Sequence, residues 1–328
     1  MQLTLEQIRS ITLGALYVRQ TEDGFCFDRF TPTQVDAAWR QSAEYGPRTG
    51  APSSVCFDFY TNASWFELTV HKMVPLTDLP FYGLDVWVND TLVHHAGAEH
   101  FAADTVDTLH LNLDGKENRI RAYLPTLVTA AVRSVSLSDG ATIRPYRPRR
   151  RILMHGDSIT QGFNARYPSS CYANALGRYY DAEIVNQGIA GACFFADVVE
   201  RVGEDFDFIT VAYGTNDWRK KEGADIPPDT DAFMRRLKEL YPNTPVFVIL
   251  PLWRSDFLSP YRAGDFRQCR ALIGRLARKR GFYVLDDFDM VPHDKRFFHD
   301  ERLHPNEYGF YLYAQRLTEM INEKLALQ

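Results

Sequence analysis

No stretch of 18 apolar residues occurs anywhere in the chain, so no membrane-spanning helix is expected. Cysteine is sparse. The five residues Cys26, Cys56, Cys171, Cys193 and Cys269 lie far apart and form no Cys-x-x-Cys pair. They read as free, mostly buried thiols, and exclude a disulfide frame or a zinc knuckle. Positive charge is not in excess: the net charge is −5, which gives no footprint for nucleic acid or an anionic membrane. The short basic run Arg147-Pro148-Arg149-Arg150-Arg151 reads as a solvated linker. No glycine-rich phosphate loop follows any predicted strand, so no nucleotide cofactor is expected. The opening "MQLTLEQIRSITLGALYVRQ" lacks the basic start, long apolar core and cleavage site of a signal peptide. A cytoplasmic location is therefore expected, and the sequons at Asn62 and Asn89 read as chance matches.

What the chain does have is two halves with different periods. Up to about residue 145 the dominant period is two. Val55, Phe57 and Phe59 alternate with Cys56, Asp58 and Tyr60, and Phe66, Leu68 and Val70 alternate with Glu67, Thr69 and His71. Such alternation predicts strands with one buried and one wet face. Asp114-Gly115, between "LHLNL" and "NRIRAYL", predicts a hairpin turn. Many short strands with little helix predict a β-sandwich of jelly-roll type over residues 1–145.

From residue 146 the pattern changes. Short apolar runs at 151–155, 183–187, 207–213, 245–250 and 282–286 alternate with helical patterns. Those helices are expected near 169–180, 194–202, 229–241 and 264–280, with a last one from about 307. Phe266, Cys269, Leu272, Ile273 and Leu276 have helical spacing, with Gly281 beyond as a C-cap signal. Five β-α units predict a parallel sheet with helices on both faces, in flavodoxin-like order, over residues 146–328. Ligands of such sheets sit beyond the carboxyl ends of the strands.

Those ends carry chemistry. The first strand runs into Gly156-Asp157-Ser158, and the second into "NQGIAGA" with Gly188 and Gly191. The third runs into Gly214-Thr215-Asn216-Asp217. The loop before the last helix reads "HDERLHPNEYGF", with Asp300, Glu301 and His304. A serine hydroxyl needs a base within hydrogen-bond reach, and the base needs a third group to orient it. A developing oxyanion needs preorganised donors, which glycine amides and an asparagine side chain can supply. Each block alone is an ordinary turn. Together, in this order at one sheet edge, they point to acyl transfer.

This ordered set resembles the SGNH hydrolases, or GDSL esterase/lipase family, over roughly residues 150–328. The resemblance implies Ser158 as nucleophile and His304 as general base. It implies an oxyanion hole from the Ser158 and Gly191 amides and the Asn216 side chain, with Asp157 bracing the turn. Thr160 stands where the last glycine of a G-x-S-x-G elbow would be, which disfavours an α/β-hydrolase fold. The family pattern also puts an aspartate three residues before the histidine, and here Glu301 holds that position. Asp300, four residues before, can take the part if the loop has one extra residue. A Ser-His dyad with the ring held by a backbone carbonyl is the third arrangement.

A β-sandwich ahead of such a domain resembles carbohydrate esterases that remove acetyl groups. The expected substrate is accordingly a small-molecule or saccharide ester with a short acyl group, since no lid-like apolar stretch marks a long-chain lipase. Trp218 and Trp253, after the third and fourth strands, are candidate pocket walls. Trp87 and Tyr60 could form a sugar platform or pack against the second domain. His94, His95 and His100 lack a carboxylate-rich partner set, so no metal is expected. The rival reading is a non-catalytic carbohydrate-binding protein with a degenerate hydrolase domain. Oligomeric state has no sequence signal.

Overall fold

The computed structural model describes residues 1–76, 83–96, 104–203 and 205–326. The first eleven strands are β1 (Thr12–Leu13), β2 (Tyr17–Thr21), β3 (Gly24–Asp28), β4 (Cys56–Thr61), β5 (Trp65–Pro75), β6 (Leu84–Val88), β7 (Thr91–Ala96), β8 (Thr105–Asn112), β9 (Asn118–Tyr123), β10 (Val128–Leu137) and β11 (Ile143–Pro145). They form two antiparallel sheets, ordered β2-β3-β10-β5-β8 and β1-β4-β9-β6-β7, with β11 also paired to β4. Phe25, Phe27, Phe57, Phe59, Phe66, Leu68 and Val132 meet between the sheets in one buried core. This is the β-sandwich that the alternation predicts.

Two details differ from the sequence reading. Asp114-Gly115 joins no hairpin, because β8 pairs with β5 in one sheet and β9 with β4 and β6 in the other. The turn carries the chain across the sandwich. The face of β4 expected to be wet is also covered, with Cys56 and Asp58 buried. Asp58 accepts from Arg119 (2.8 and 2.9 Å) and from Arg121 (2.7 Å), so its charge is paired on removal from water.

The remaining strands are β12 (Arg150–Gly156), β13 (Ala182–Gly188), β14 (Phe208–Ala212), β15 (Val246–Ile249) and β16 (Tyr283–Leu285). They form a parallel sheet in the order β13-β12-β14-β15-β16, the flavodoxin-like arrangement. Gly156 lies level with Gly188 on one side and Ala212 on the other. That register brings the three following loops to one edge, at the point where the strand order reverses.

Nine helices occur among the described residues: α1 (Leu5–Ile11), α2 (Pro32–Gln41), α3 (Tyr45–Arg48), α4 (Ser158–Gln161), α5 (Tyr172–Tyr180), α6 (Thr215–Lys220), α7 (Ile226–Leu240), α8 (Phe266–Lys279) and α9 (Glu307–Leu325). The sequence reading of the first half does not include α1, α2 and α3. Helix α8 is N-capped by Asp265, whose side chain accepts from the Gln268 amide, and it buries Phe266, Cys269, Ile273 and Ala277.

The helix expected at 194–202 does not form. The segment is extended except for one 3₁₀ turn at Ala196–Val198. It spends its apolar side chains in a single core, burying Phe194, Phe195, Val198, Val199 and Val202, and three of these are β-branched residues with poor helix propensity. Helix α2 packs there instead: Phe30, Ala37, Ala38 and Tyr45 join the same core as Leu153 and Val185. A piece of the N-terminal region thus completes a layer of the parallel-sheet domain.

The wet faces of the two regions meet through polar contacts. Asp85 accepts from the Ser169 amide at 2.7 Å, and Glu183 accepts from the Gly14 amide at 3.1 Å. The Arg178 guanidinium lies 4.8 Å from the Trp87 ring centroid, so this tryptophan packs against α5. Tyr60 lies beneath the guanidinium of Arg144. His94 and His95 sit on β7, where His95 hydrogen-bonds Asp85, and His100 lies outside the described residues. All five cysteines are free, and all but Cys26 are buried. Among the described residues no helix is long and apolar enough to cross a membrane.

Candidate active site

β12 ends on Gly156 because nothing larger fits. A Cβ there would lie 2.0 Å from the Thr160 hydroxyl and 2.9 Å from the Ala212 carbonyl. Asp157 then caps the single turn of α4, its Oδ1 accepting from the Ile159 amide at 3.0 Å. Burial, reinforced by the neighbouring Asp217 charge, pushes the Asp157 carboxyl up to about 7. Ser158 opens the turn, only 4 % exposed, with its side chain directed to the cleft.

Ser158 Oγ lies 2.9 Å from His304 Nε2. The other ring nitrogen, Nδ1, lies 2.7 Å from Asp300 Oδ2. The second oxygen of Asp300 accepts from three successive backbone amides, those of Arg302, Leu303 and His304, at 3.0, 2.8 and 3.0 Å. Partial burial works to raise the Asp300 carboxyl. The hydrogen bond and charge of His304 outweigh it, with the Leu303 and His304 amides, and hold the acid well below the usual carboxylate range.

Glu301 is exposed and adopts a left-handed backbone, φ +54°. That conformation absorbs the additional loop residue and turns Asp300 back toward the imidazole. The loop base is tied by the His299 amide to the His304 carbonyl at 2.8 Å, and Phe163 packs on the ring.

The opposite wall is the loop after β13. Gly191 has φ +77°, a conformation that glycine adopts without strain. The Ala190 carbonyl accepts from Arg48 Nη1 at 2.7 Å. A trans peptide points its N–H opposite to its C=O, so this bond also fixes the direction of the Gly191 amide. The Gly191 carbonyl accepts from the Tyr45 hydroxyl at 3.1 Å and from Lys220 Nζ at 2.8 Å. Asn216, on the first turn of α6, spends one amide hydrogen on the Ala192 carbonyl at 3.1 Å.

The cleft of about 420 Å³ is bounded by Ser158, Gly191, Asn216, Leu303 and His304, together with Arg48 and three further cations. Trp218 and Trp253 are not on it. Trp218 is fully buried, donates its indole N–H to the Gly264 carbonyl at 2.7 Å and packs on Phe266. Trp253 stacks on His293 and packs against Phe298. Position after a strand end does not make a side chain a pocket wall when a core lies beneath it. The sequence reading overlooks Arg48, Arg219, Lys220 and Arg302 at the cleft. Arg219-Lys220 could have been read from α6, three residues past Asn216; nothing local marks Arg48.

A parallel sheet in this order, with Ser158, Gly191, Asn216 and His304 gathered at one cleft on its carboxyl edge, is the arrangement that the SGNH resemblance implies. Residues 154–311 match the GDSL-like Lipase/Acylhydrolase family, and the chain carries a carboxylic ester hydrolase domain of that family. No curated protein matches the chain. Solved structures match its fold over nearly the whole length. A protein described as a GDSL-like lipase from Bacteroides ovatus is 18% identical, with TM-score 0.80, covering 99% of this chain and 98% of that one. The salicylyl-acyltransferase SsfX3 of a tetracycline biosynthetic pathway is 20% identical, with TM-score 0.77, covering 95% and 94%. The acetyl xylan esterase Est2A from Butyrivibrio proteoclasticus is 14% identical, with TM-score 0.63, covering 99% and 98%. At these identities the likeness is one of fold.

Proposed function

We propose that the protein is a metal-independent serine esterase that removes short acyl groups, acetyl foremost, from small-molecule or saccharide esters. The observation that carries this reading is the continuous chain from Ser158 Oγ to His304 Nε2 (2.9 Å) and from His304 Nδ1 to Asp300 Oδ2 (2.7 Å). Ser158 attacks the ester carbonyl while His304 takes its proton. The carbonyl oxygen, now anionic, accepts hydrogen bonds from the Ser158 and Gly191 amides and the free hydrogen of the Asn216 side chain. His304 returns the proton to the departing alkoxide, leaving an acyl-serine and a free alcohol. Water, deprotonated by His304, then attacks the acyl-serine, and the same proton passes from His304 to the departing Ser158 Oγ as the acid is released. Asp300 keeps the ring in the tautomer that offers Nε2 as base and stabilises the imidazolium.

The short-acyl reading is supported by a small, polar-rimmed cleft and by the fold it shares with an acetyl xylan esterase. In this proposal residues 146–328 are catalytic. Residues 1–145 form a jelly-roll-like accessory domain that also braces the glycine loop. Five free thiols fit a reducing compartment such as the cytoplasm. A non-catalytic saccharide binder would have no need of the serine–histidine contact.

Turnover of p-nitrophenyl acetate by wild type and Ser158→Ala, with and without EDTA, tests the reading. The expected loss in the variant is about 10⁴-fold or more, with no effect of EDTA. Comparable rates in the two proteins would overturn it.

A further inference from the structure

Four cations reach the catalytic cleft: Arg48, Arg219, Lys220 and Arg302, against a single acid, Glu44. The whole chain carries net charge −5, so this edge reverses the sign of the molecule. Arg48 is committed, to the Ala190 carbonyl and to Glu44 at 3.1 Å. Arg219 and Lys220 have no ion-pair partner among the described residues, and Arg302 has only a shared one. Arg219 is exposed and makes no ion pair or hydrogen bond among the described residues. Among the described residues Lys220 hydrogen-bonds the Gly191 carbonyl and lies over the Tyr45 ring. Arg302 has Asp256 as its nearest acid, at 3.8 Å. Asp256 is already held bidentately by Arg254.

A cation in the last turn of α6 is favourable for the helix dipole, which accounts for Arg219 or Lys220 taken alone. It does not account for Arg302, which comes from the histidine loop on the opposite wall. Two walls built from distant parts of the chain bring positive charge to the cleft that holds Ser158.

From this we infer that the preferred substrate is an anionic ester, carrying a carboxylate, sulfate or phosphate close to the scissile bond, and that Arg219, Lys220 and Arg302 select it. This rests on the serine-esterase reading and narrows it. Guanidinium groups pair with such oxyanions in planar, two-point fashion, and a partly enclosed cleft strengthens the attraction. Both the acyl and the alcohol part can carry the charge, and matched ester pairs separate the two.

The test compares kcat/KM for 4-acetoxybenzoate against its methyl ester, with the charge on the alcohol side. The second pair is p-nitrophenyl hemisuccinate against p-nitrophenyl methyl succinate, with the charge on the acyl side. The expected result is a preference of about tenfold or more for the anionic member of one pair, shrinking as salt rises from 0.05 to 0.5 M. In Arg219→Gln and Arg302→Gln the anionic-to-neutral ratio should fall several-fold. A ratio near one in both pairs in wild type overturns the proposal. So does an equal loss on both members in the variants, which would mean that the cations serve the oxyanion rather than a substrate anion. If no ester of either pair is cleaved, the esterase reading has failed, whereas cleavage without preference leaves that reading standing and ends this one.

Discussion

The two walls of the cleft are built in opposite ways. The histidine wall is mostly local: Asp300, the three amides it gathers and His304 fall within five consecutive residues. They are tied by the His299 amide to the His304 carbonyl and by the Glu301 amide to the Phe298 carbonyl, with one bond from outside, the Ser255 amide to the Arg302 carbonyl. The glycine wall is assembled from afar. Arg29, fully buried, donates from Nε to the Ala51 carbonyl at 2.6 Å and reaches the Asn186, Gly188 and Arg48 carbonyls with its terminal nitrogens. Gln34 and Gln187 exchange amide bonds at 2.9 Å, and Tyr45 and Arg48 hold the carbonyls flanking Gly191. The base and its orienting acid sit on one loop. The glycine wall depends on residues more than a hundred positions away. Damage to the N-terminal region should therefore reach catalysis through the glycine wall and leave the serine–histidine contact intact.

The largest effect is expected on the histidine wall. Asp300→Asn keeps the shape and removes the charge, so kcat for p-nitrophenyl acetate should fall about 10²–10⁴-fold. Glu301→Gln should stay within about tenfold of wild type. The reverse ranking would give Glu301 the orienting role. On the glycine wall, Asn216→Ala should lower kcat about 10²–10³-fold with little change in melting temperature. A wild-type kcat would reduce Asn216 to a bracing residue for the Ala192 carbonyl.

A smaller effect sharpens the contrast. Arg48→Met should lower kcat about tenfold while KM for a neutral ester and the melting temperature hold, because it frees the peptide that aims the Gly191 amide. A fall in melting temperature with kcat preserved would make Arg48 a purely structural contact. The smallest effect concerns Asp157. Unfolded, its carboxyl ionises near 3.8, whereas in the folded protein it stays protonated to about 7. The folded state thus binds the extra proton, and wild type loses stability as pH rises through that window and no further above it. The melting temperature of Asp157→Asn should gain on wild type between pH 4 and 7, then run parallel. A constant difference across that range would contradict the raised value.

The same contrast explains what the sequence made legible. Strand alternation, five β-α units and four strand-end blocks are short-range patterns, and they identify the sandwich, the parallel sheet and the loops that meet at its edge. What escaped was long-range. The 194–202 segment has no helix because α2, from the other half of the chain, fills that layer. The wet face of β4 is dry because the second domain covers it. Asp114-Gly115 carries turn chemistry, yet the turn crosses between sheets, which no local signal distinguishes from a hairpin. Trp218 follows a strand end as a pocket residue would, but the core formed by Phe266 and Tyr261 claims it. The Asp300/Glu301 ambiguity was local but conformational: it turns on the left-handed backbone of Glu301, for which a glutamate gives no cue.

The central claim, that Ser158 is a nucleophile activated by His304, is tested most directly by covalent capture. Paraoxon transfers its diethylphosphoryl group to an activated serine oxygen with loss of p-nitrophenolate, and intact mass followed by peptide mapping locates the adduct. One label per chain is expected, on Ser158, forming at least a hundredfold more slowly in His304→Ala. A label on another residue, or equal labelling of the two proteins, would contradict the account.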